Sequence, residues 1–571
     1  MKNLILYMFL IYSSLIWISS CSDDKFNDTP VYMVPSSIVY GDSTKISQVI
    51  SNLYSFLPQG YNRLGSSSML AASIDEAVHA VLGSEVERWG MGSWDANYTH
   101  DDAFSNCYTG IRRTFVCEDQ ILANIDKTVM TSVGQNLYRG QTLFLRAYFN
   151  FEILKRYGGY PVLKKAFSTD DDLTVSRNTY DECVNYITDL CDEAVPLLPL
   201  SYATNQLGRA TQGAAMALKA RTLLYAASPL FNDPGKPDNG LENGKYDPAK
   251  WEKAAEAAAN VINLKNPDET NVYGLYTAGT GYDAFFYTLA SNNEIIISRM
   301  TANGNTVEKQ NGPVSITGGE GGTCPTLDLV NDYEMADGTP FEWNNPVHAN
   351  NPFAGRDPRF AKSILYNGAT WMSGTVIETF DGGKDLTGVR ATRTGFYLRK
   401  FLNINARWNA PTGTSPHCFP LIRYAEVLLN YAEAMNEAYG PDVDPKSYGL
   451  TARDAVRMIR QRAGLTGNID LSASVPNGNQ AKMREAIRHE RRIELVFEEH
   501  RHLDARRWKI AETVFNKPVS GLTIVKNTND NTYTYTPKTV ENRVFSSNMY
   551  LYPFPQTEIS RNPNLVQNTG W

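Results

Sequence analysis

The sequence predicts a mainly α fold: helix pairs stacked in the manner of tetratricopeptide repeats, with a large irregular, loop-rich region containing short strands. Three observations predict it. Apolar residues recur at spacings of three and four in segments that come in pairs, and such helices bury their stripes only against neighbours. Between about Asn266 and Pro420 the chain changes character, with frequent Gly, Asn, Thr and Pro and only short β-branched runs such as Glu294 to Arg299. Finally, Arg484 to Trp508, REAIRHERRIELVFEEHRHLDARRW, lacks Gly and Pro and reads as one helix.

The helical pattern opens near Ser43, where Ile46, Val49, Ile50 and Leu53 mark one face. From Gly60 to His100 it loosens into Gly, Ser and aromatic residues. Ala103 to about Met130 and Gly134 to Tyr157 form a first pair, followed by Gly158, Gly159 and Pro161. Thr179 to Leu198 and Arg209 to Ala227 form a second, with Pro196 and Pro199 ending its first helix. Pro248 to Asn263 begins another, the proline suiting a first turn. After the interruption, Arg423 to Ala438 pairs with Thr451 to Ala463. The chain so divides into a helical-repeat part over 43–265, a loop-rich, ligand-binding insertion over 266–420, and a part over 421–571 that completes the repeats. A second loop-like region is expected from Gly521 to Ser547. In the Arg484–Trp508 helix, Ile493, Val496, Phe497, His500 and Leu503 make an apolar-leaning stripe. The interleaved Glu and Arg residues around it predict ion pairs along the helix and to its neighbours, a structural element rather than one that touches ligand.

A chain of 571 residues is too long for one small core. Its net charge of −7 argues against a nucleic-acid partner, which needs a basic footprint. Lys2 leads into LILYMFLIYSSLIWIS, an apolar run of signal-peptide length and short for a membrane span. It ends in Ile18-Ser19-Ser20-Cys21, which resembles a bacterial lipobox. Residues 1–20 therefore read as a lipoprotein signal peptide, Cys21 as the lipidated residue, and 21–42 as a polar tether, anchoring the chain by lipid without spanning. The other six cysteines include no C-x-x-C pair. On one helix, Cys183 and Cys191 would stand roughly 12 Å apart, too far for a disulfide, and Cys107 and Cys117 fail likewise. Buried thiols and no metal site are expected.

The Arg484–Trp508 stretch resembles the C-terminal signature helix of the SusD/RagB family of outer-membrane nutrient-binding lipoproteins. RYAEVLLNYAEAMNEA (Arg423 to Ala438), CPTLDLVNDYEMADGTPF (Cys324 to Phe341), NPFAGRDPRF (Asn351 to Phe360) and YLYPFPQTEISRNPNLVQNTGW (Tyr550 to Trp571) are similar to that family too, in its order. Ser22-Asp23-Asp24 resembles its acidic surface-export signal, and Asp75-Glu76-Ala77 a short motif. The resemblance implies a lipid-anchored outer-membrane protein facing the cell exterior. It would capture an oligosaccharide or polysaccharide and hand it to a SusC-like TonB-dependent transporter, its helical-repeat half facing the barrel as a hinged lid. RagB-like members serve peptide import, so a peptide ligand is the alternative, and a surface glycoside hydrolase a further one. Arg423, Glu426, Glu490 and Arg491 match the motifs and carry over as scaffold.

Enzyme signatures fail. There is no G-x-S-x-G elbow. Gly244-Lys245 is not a phosphate loop, because Asn239 replaces its first glycine and Tyr246 follows the lysine. His489-Glu490 starts a zinc-protease pattern, but Ile493 stands at the second histidine's place. The Gly318–Gly322 run lacks strand and helix flanks and reads as a loop. No motif singles out a glycosidase carboxylate pair. Asp530 and nearby asparagines resemble a calcium loop without its glycine or closing Glu, so no cofactor is expected.

Sugar binding needs less: an aromatic face for the ring's C–H side, and polar groups for its hydroxyls. WGMGSWDANYTHDD has that mixture, with Trp89, Trp94 and Tyr98 beside Arg88, Asp95 and Asn97. The family resemblance, in which ligand contacts often fall in this N-terminal loop region, puts it first. Tyr282, Phe285 and Phe286 form a second aromatic group, and Trp343 and Trp371 a third. Local packing is the alternative for each ring, because loops need anchors.

Overall fold

In a computed structural model, described for residues 41–571 apart from 62, 64–67, 126–128, 234–245, 278–280, 289–291 and 409–412, the predicted pairs build a helical stack. The signal peptide, Cys21, the acidic Ser22-Asp23-Asp24 and nearly all of the tether lie outside the described residues. The longer helices are α1 (Ser43–Leu53), α2 (Phe104–Val116), α3 (Ser132–Tyr157), α4 (Tyr180–Ala194), α5 (Gln212–Ala227), α6 (Ala249–Ile262), α7 (Tyr424–Tyr439), α8 (Ala452–Ala463), α9 (Gln480–Glu494) and α10 (His500–Arg507). From α2 to α6 each helix packs on the next. Helix α6 then packs on α7, across the whole insertion, and α7 on α8 and α9. The mainly α, tetratricopeptide-like class is the observed one.

Local chemistry sets the ends. Thr179 and Glu182 form a reciprocal capping box at α4, as Thr451 and Asp454 do at α8. Gly464 closes α8 in the left-handed conformation at φ +87°, where a side chain would be strained. The six cysteines of the described residues are buried free thiols.

Strands β1 (Ala77–His79), β2 (Ile295–Gly304), β3 (Thr323–Pro325), β4 (Ser415–Arg423), β5 (Val519–Lys526) and β6 (Tyr533–Glu541) pair antiparallel as β1 with β3, β2 with β4, and β5 with β6. Strand β4 runs directly into α7, so the insertion is sewn to the helical stack. The β5–β6 hairpin corrects the loop expected over Gly521–Ser547. Tyr533 and Tyr535 alternate with Thr534 and Thr536, a period-two signal inside a polar stretch. Asp530 Oδ1 accepts from the Thr532 N–H (2.9 Å) and hydroxyl (2.7 Å), so its carboxylate closes the hairpin turn.

A second correction concerns Arg484–Trp508, which is not one helix. It breaks at Leu495–Glu499, where Phe497 and Glu499 adopt φ of +63° and +66°. Leu495, Val496 and Phe497 are all buried, which three consecutive positions of a helix cannot achieve against one neighbour. The break also frees the Glu494 and Val496 carbonyls to accept from Lys400 Nζ at 3.1 and 2.9 Å.

The charges of this segment face inward rather than outward. Arg423 donates to Glu294 (2.7 Å), Glu494 (2.8 Å) and Glu498 (2.7 Å), all buried. Arg359 joins Glu490 and Glu494, Arg462 joins Glu294 and Glu494, and Lys400 reaches Glu498 at 2.7 Å. Burial pushes the Glu494 carboxyl up, but Arg462, Arg423 and Arg359 outweigh it and hold it well below the usual range. Arg423→Met leaves three buried carboxylates short of a cation. We expect a loss of about 3–5 kcal/mol in urea unfolding, from the known cost of orphaning a buried charge.

Candidate functional site

The Trp89–Asp102 segment splits into a buried base and an exposed rim. A short helix, Glu85–Gly90, is capped by Ser84, whose hydroxyl accepts from the Glu87 N–H. It delivers Trp89 into the core, 5.0 Å from the His502 ring and edge-on to Tyr552. Trp94 packs 5.4 Å from Tyr552 and 4.7 Å from Trp571. Neither tryptophan offers an open face to a sugar, which corrects the expectation for both. They are the pedestal. On it, Asp95 Oδ1 accepts from the N–H groups of Asn97 (2.7 Å) and Tyr98 (3.2 Å), a tight turn that throws both residues outward. Tyr98 is 46 % exposed, its ring 4.7 Å from His100, and Arg88 and Asn97 are exposed beside it. Of this segment Arg88, Asn97 and Tyr98 stay available for ligand.

Tyr282 and Phe285 are core residues, not a second platform. The Tyr282 hydroxyl donates to the Glu494 carbonyl at 2.8 Å and accepts from Lys400 Nζ, while Phe285 lies 5.3 Å under the Arg423 guanidinium. They roof the buried ion cluster, where a cation needs a dry face beside it. Trp371 is 1 % exposed, with the Arg399 guanidinium 5.6 Å from its ring, and is likewise packing.

Trp343 is half-buried. Its Nε1 donates to Asn331 Oδ1 at 3.0 Å, and its ring meets Phe341 edge-on at 5.2 Å. Phe341 also stacks on His348. Asn331 and Phe341 wall an open groove of about 610 Å³ between residues 331–341 and 471–489. Pro340 and Val475 add apolar surface, while Asp332, Glu334, Lys482, Glu485 and His489 bring polar groups to it. Glu334 is held by Arg460 at 2.8 Å. An aromatic wall beside fixed hydrogen-bonding groups is what a sugar ring needs. Sequence reading missed Phe341, Glu334 and His489, because it treated the first two as family motif and the third as a failed zinc pattern.

Two buried titratable groups make the stability of this scaffold depend on pH in opposite directions. Burial pushes Glu76 up to about 8, which no single-sequence signal announces. Burial, then Arg506 and Arg156, hold the His502 imidazole well below its ordinary value. Its Nε2 lies 2.6 Å from the Tyr552 hydroxyl.

Comparison with known proteins gives two family-model matches: "SusD family" over residues 287–571, and "Starch-binding associating with outer membrane" over residues 27–224. SusD-like protein P2 of Formosa agariphila is 27 % identical over 471 residues, 78 % of this chain and 75 % of that protein. SusD-like protein P25 of the same organism is 22 % identical over 539 residues, 89 % and 90 % of the two chains. Among solved structures, a SusD-like protein from Bacteroides fragilis superposes with a TM-score of 0.77 at 26 % identity, covering 94 % of this chain and all of the other. A laminarin-binding SusD-like protein gives 0.62 at 19 %, covering 93 % and 100 %.

Two outcomes test this anatomy. Trp94→Ala should cost about 3–5 kcal/mol in urea unfolding, as expected for a core tryptophan and not for a ligand platform. The unfolded chain protonates His502 below about pH 6.5 while the folded one does not, so folding stability falls as pH drops from there. His502→Gln should lose less stability than the wild type between pH 6.5 and 5, measured by paired urea titrations.

Proposed function

This chain belongs to the SusD/RagB family, and from that premise we propose that it is a non-catalytic cell-surface lipoprotein that captures oligosaccharides. It delivers them to a SusC-like TonB-dependent transporter in the outer membrane. The observation that carries the reading is the groove walled by Phe341: an aromatic face beside a carboxylate held by Arg460 and an amide held by the Trp343 N–H. The exposed Arg88, Asn97 and Tyr98 rim is a second contact set. The description of one structural relative as laminarin-binding, and of the N-terminal family model as starch-binding, supports the ligand class. Outer-membrane association is supported by the description of the N-terminal family model. Among the described residues no helix is long and apolar enough to cross a membrane, which accords with an anchor at Cys21.

Binding rather than cleavage is supported by the family and by where the strongly perturbed carboxyls lie. Glu76, the acid pushed to about 8, is buried in the core and does not line the groove. A general acid must reach its substrate.

The test uses the mature chain on a glycan array and a peptide pool. Glycan retention without released sugar is expected. Peptide binding without glycan binding overturns the ligand, and released sugar overturns the non-catalytic reading. Phe341→Ala and Tyr98→Ala should each weaken the retained glycan about tenfold in affinity electrophoresis, the loss of one stacking face at roughly 1.5 kcal/mol.

A further inference from the structure

The two walls of the Phe341 groove bring a carboxylate and an imidazole face to face without joining them. The α9 wall carries Lys482, Glu485 and His489, spaced by three and four on a helix face turned away from the buried Met483, Ile487 and Glu490. The facing wall carries Glu334, whose backbone is pinned. Tyr333 before it is buried, the Asp357 N–H donates to the Glu334 carbonyl at 2.8 Å, and Met335 after it pairs with Arg356.

One oxygen of the Glu334 carboxylate is committed. Its Oε2 accepts from Arg460 at 2.8 Å, and Arg460 is buried and also holds Glu490 at 3.0 Å. The other oxygen, Oε1, accepts no hydrogen bond from a described residue and lies 4.0 Å from His489 Nε2. That separation is too long for a hydrogen bond and short enough for charges to act across it.

The other charges around this imidazole are engaged elsewhere. On its own helix Glu485 meets Arg488 at 3.1 Å, while Arg492 holds Asp75 and, at 2.5 Å, Asp332 from the opposite wall. From α8 comes Arg460, committed to Glu334 and Glu490. Lys482 is exposed, two turns away along α9. Among the described residues, Glu334 is the carboxylate within 4.0 Å of His489.

Protonation changes what the two groups can do. A neutral imidazole leaves Oε1 open to a ligand hydroxyl, which a carboxylate accepts as a charge-assisted hydrogen bond. An imidazolium donates from both nitrogens and is drawn to that same oxygen. Because Arg460 and the pinned backbone hold Glu334 still, the imidazole makes the move, about 1 Å to reach a charge-assisted contact.

We infer that His489 is a proton-operated competitor for the groove's ligand: once charged it occupies Glu334 Oε1, so capture weakens as the surroundings acidify. The inference rests on the glycan-capture reading and adds control to it. Proton and ligand oppose each other by the same factor, and one half-buried ion pair corresponds to about fivefold in affinity.

The experiment measures binding of laminarin and of soluble starch to the mature chain by calorimetric titration at pH 7 and at pH 5.5. Carboxylic acids ordinarily titrate near 4 and imidazoles near 6.5, so this interval changes mainly histidine charge. The wild type should bind the retained probe about fivefold more weakly at pH 5.5. His489→Gln, with a neutral side chain of similar reach, should bind equally at both pH values. Glu334→Gln should bind more weakly than the wild type at pH 7 and lose nothing further at pH 5.5. A fall that persists in His489→Gln assigns the effect to another group, such as His348 on Phe341 or His100 beside Tyr98, and overturns the inference. So does a wild-type affinity that stays flat or rises on acidification. Ligand-free crystals at the two pH values supply an independent readout: His489 Nε2 should close to about 3 Å from Glu334 Oε1 at pH 5.5, and an unchanged separation overturns the contact. A wild type that retains neither probe, nor any glycan on the array, overturns the capture reading and with it the competitor role, whatever the crystals show of the contact itself.

Discussion

One guanidinium ties the parts of this protein together. Arg423 stands at the junction of β4 and α7 and holds Glu294 from the insertion, Glu494 from the end of α9 and Glu498 from the turn beyond it. Taking these groups out of water is expensive, and their mutual attraction repays it only if every partner is in place. The cluster therefore behaves as a lock that accepts one arrangement. The break after Glu494 is part of its geometry. A continued helix would carry Glu498 along the same axis and turn the Glu494 and Val496 carbonyls away from Lys400.

What the lock positions is a set of surfaces built from smaller parts. The largest aromatics, Trp89, Trp94 and Trp371, serve as internal supports, while Tyr98 and Phe341 reach outward. This division has a physical basis. A loop that must present a ring at a fixed angle needs something rigid beneath it, and a packed indole is rigid. Trp94 clamped between Tyr552 and Trp571 holds the Asp95 turn, and so sets where Tyr98 points.

The fold was largely legible because its signals are local. Spacing of apolar residues, Thr-x-x-Glu and Thr-x-x-Asp caps and terminal glycines mark the helices wherever their neighbours sit. The site was less legible because its determinants are not local. Trp89 and Tyr98 lie in one aromatic stretch, and only the distant His502 and Tyr552 decide which is buried. The same holds for Glu490 and Glu494: the sequence predicts ion pairs for them, and only Arg359 and Arg423, from elsewhere in the chain, decide that those pairs are buried. Only the Thr-Tyr-Thr-Tyr alternation of β6 was a local cue left unread among the polar residues around it.

The pairing of Asp75 with Arg492 and Arg501 spans 417 and 426 residues. No early fragment of the chain can neutralise these groups, whatever helices it has already formed. The closing step of folding thus waits for the last fifth of the polypeptide, and contacts so far apart in sequence are slow to find. For a chain exported as proposed above, that delay is an advantage: the half-synthesised protein stays threadable while Asp75 waits for Arg492 and Arg501.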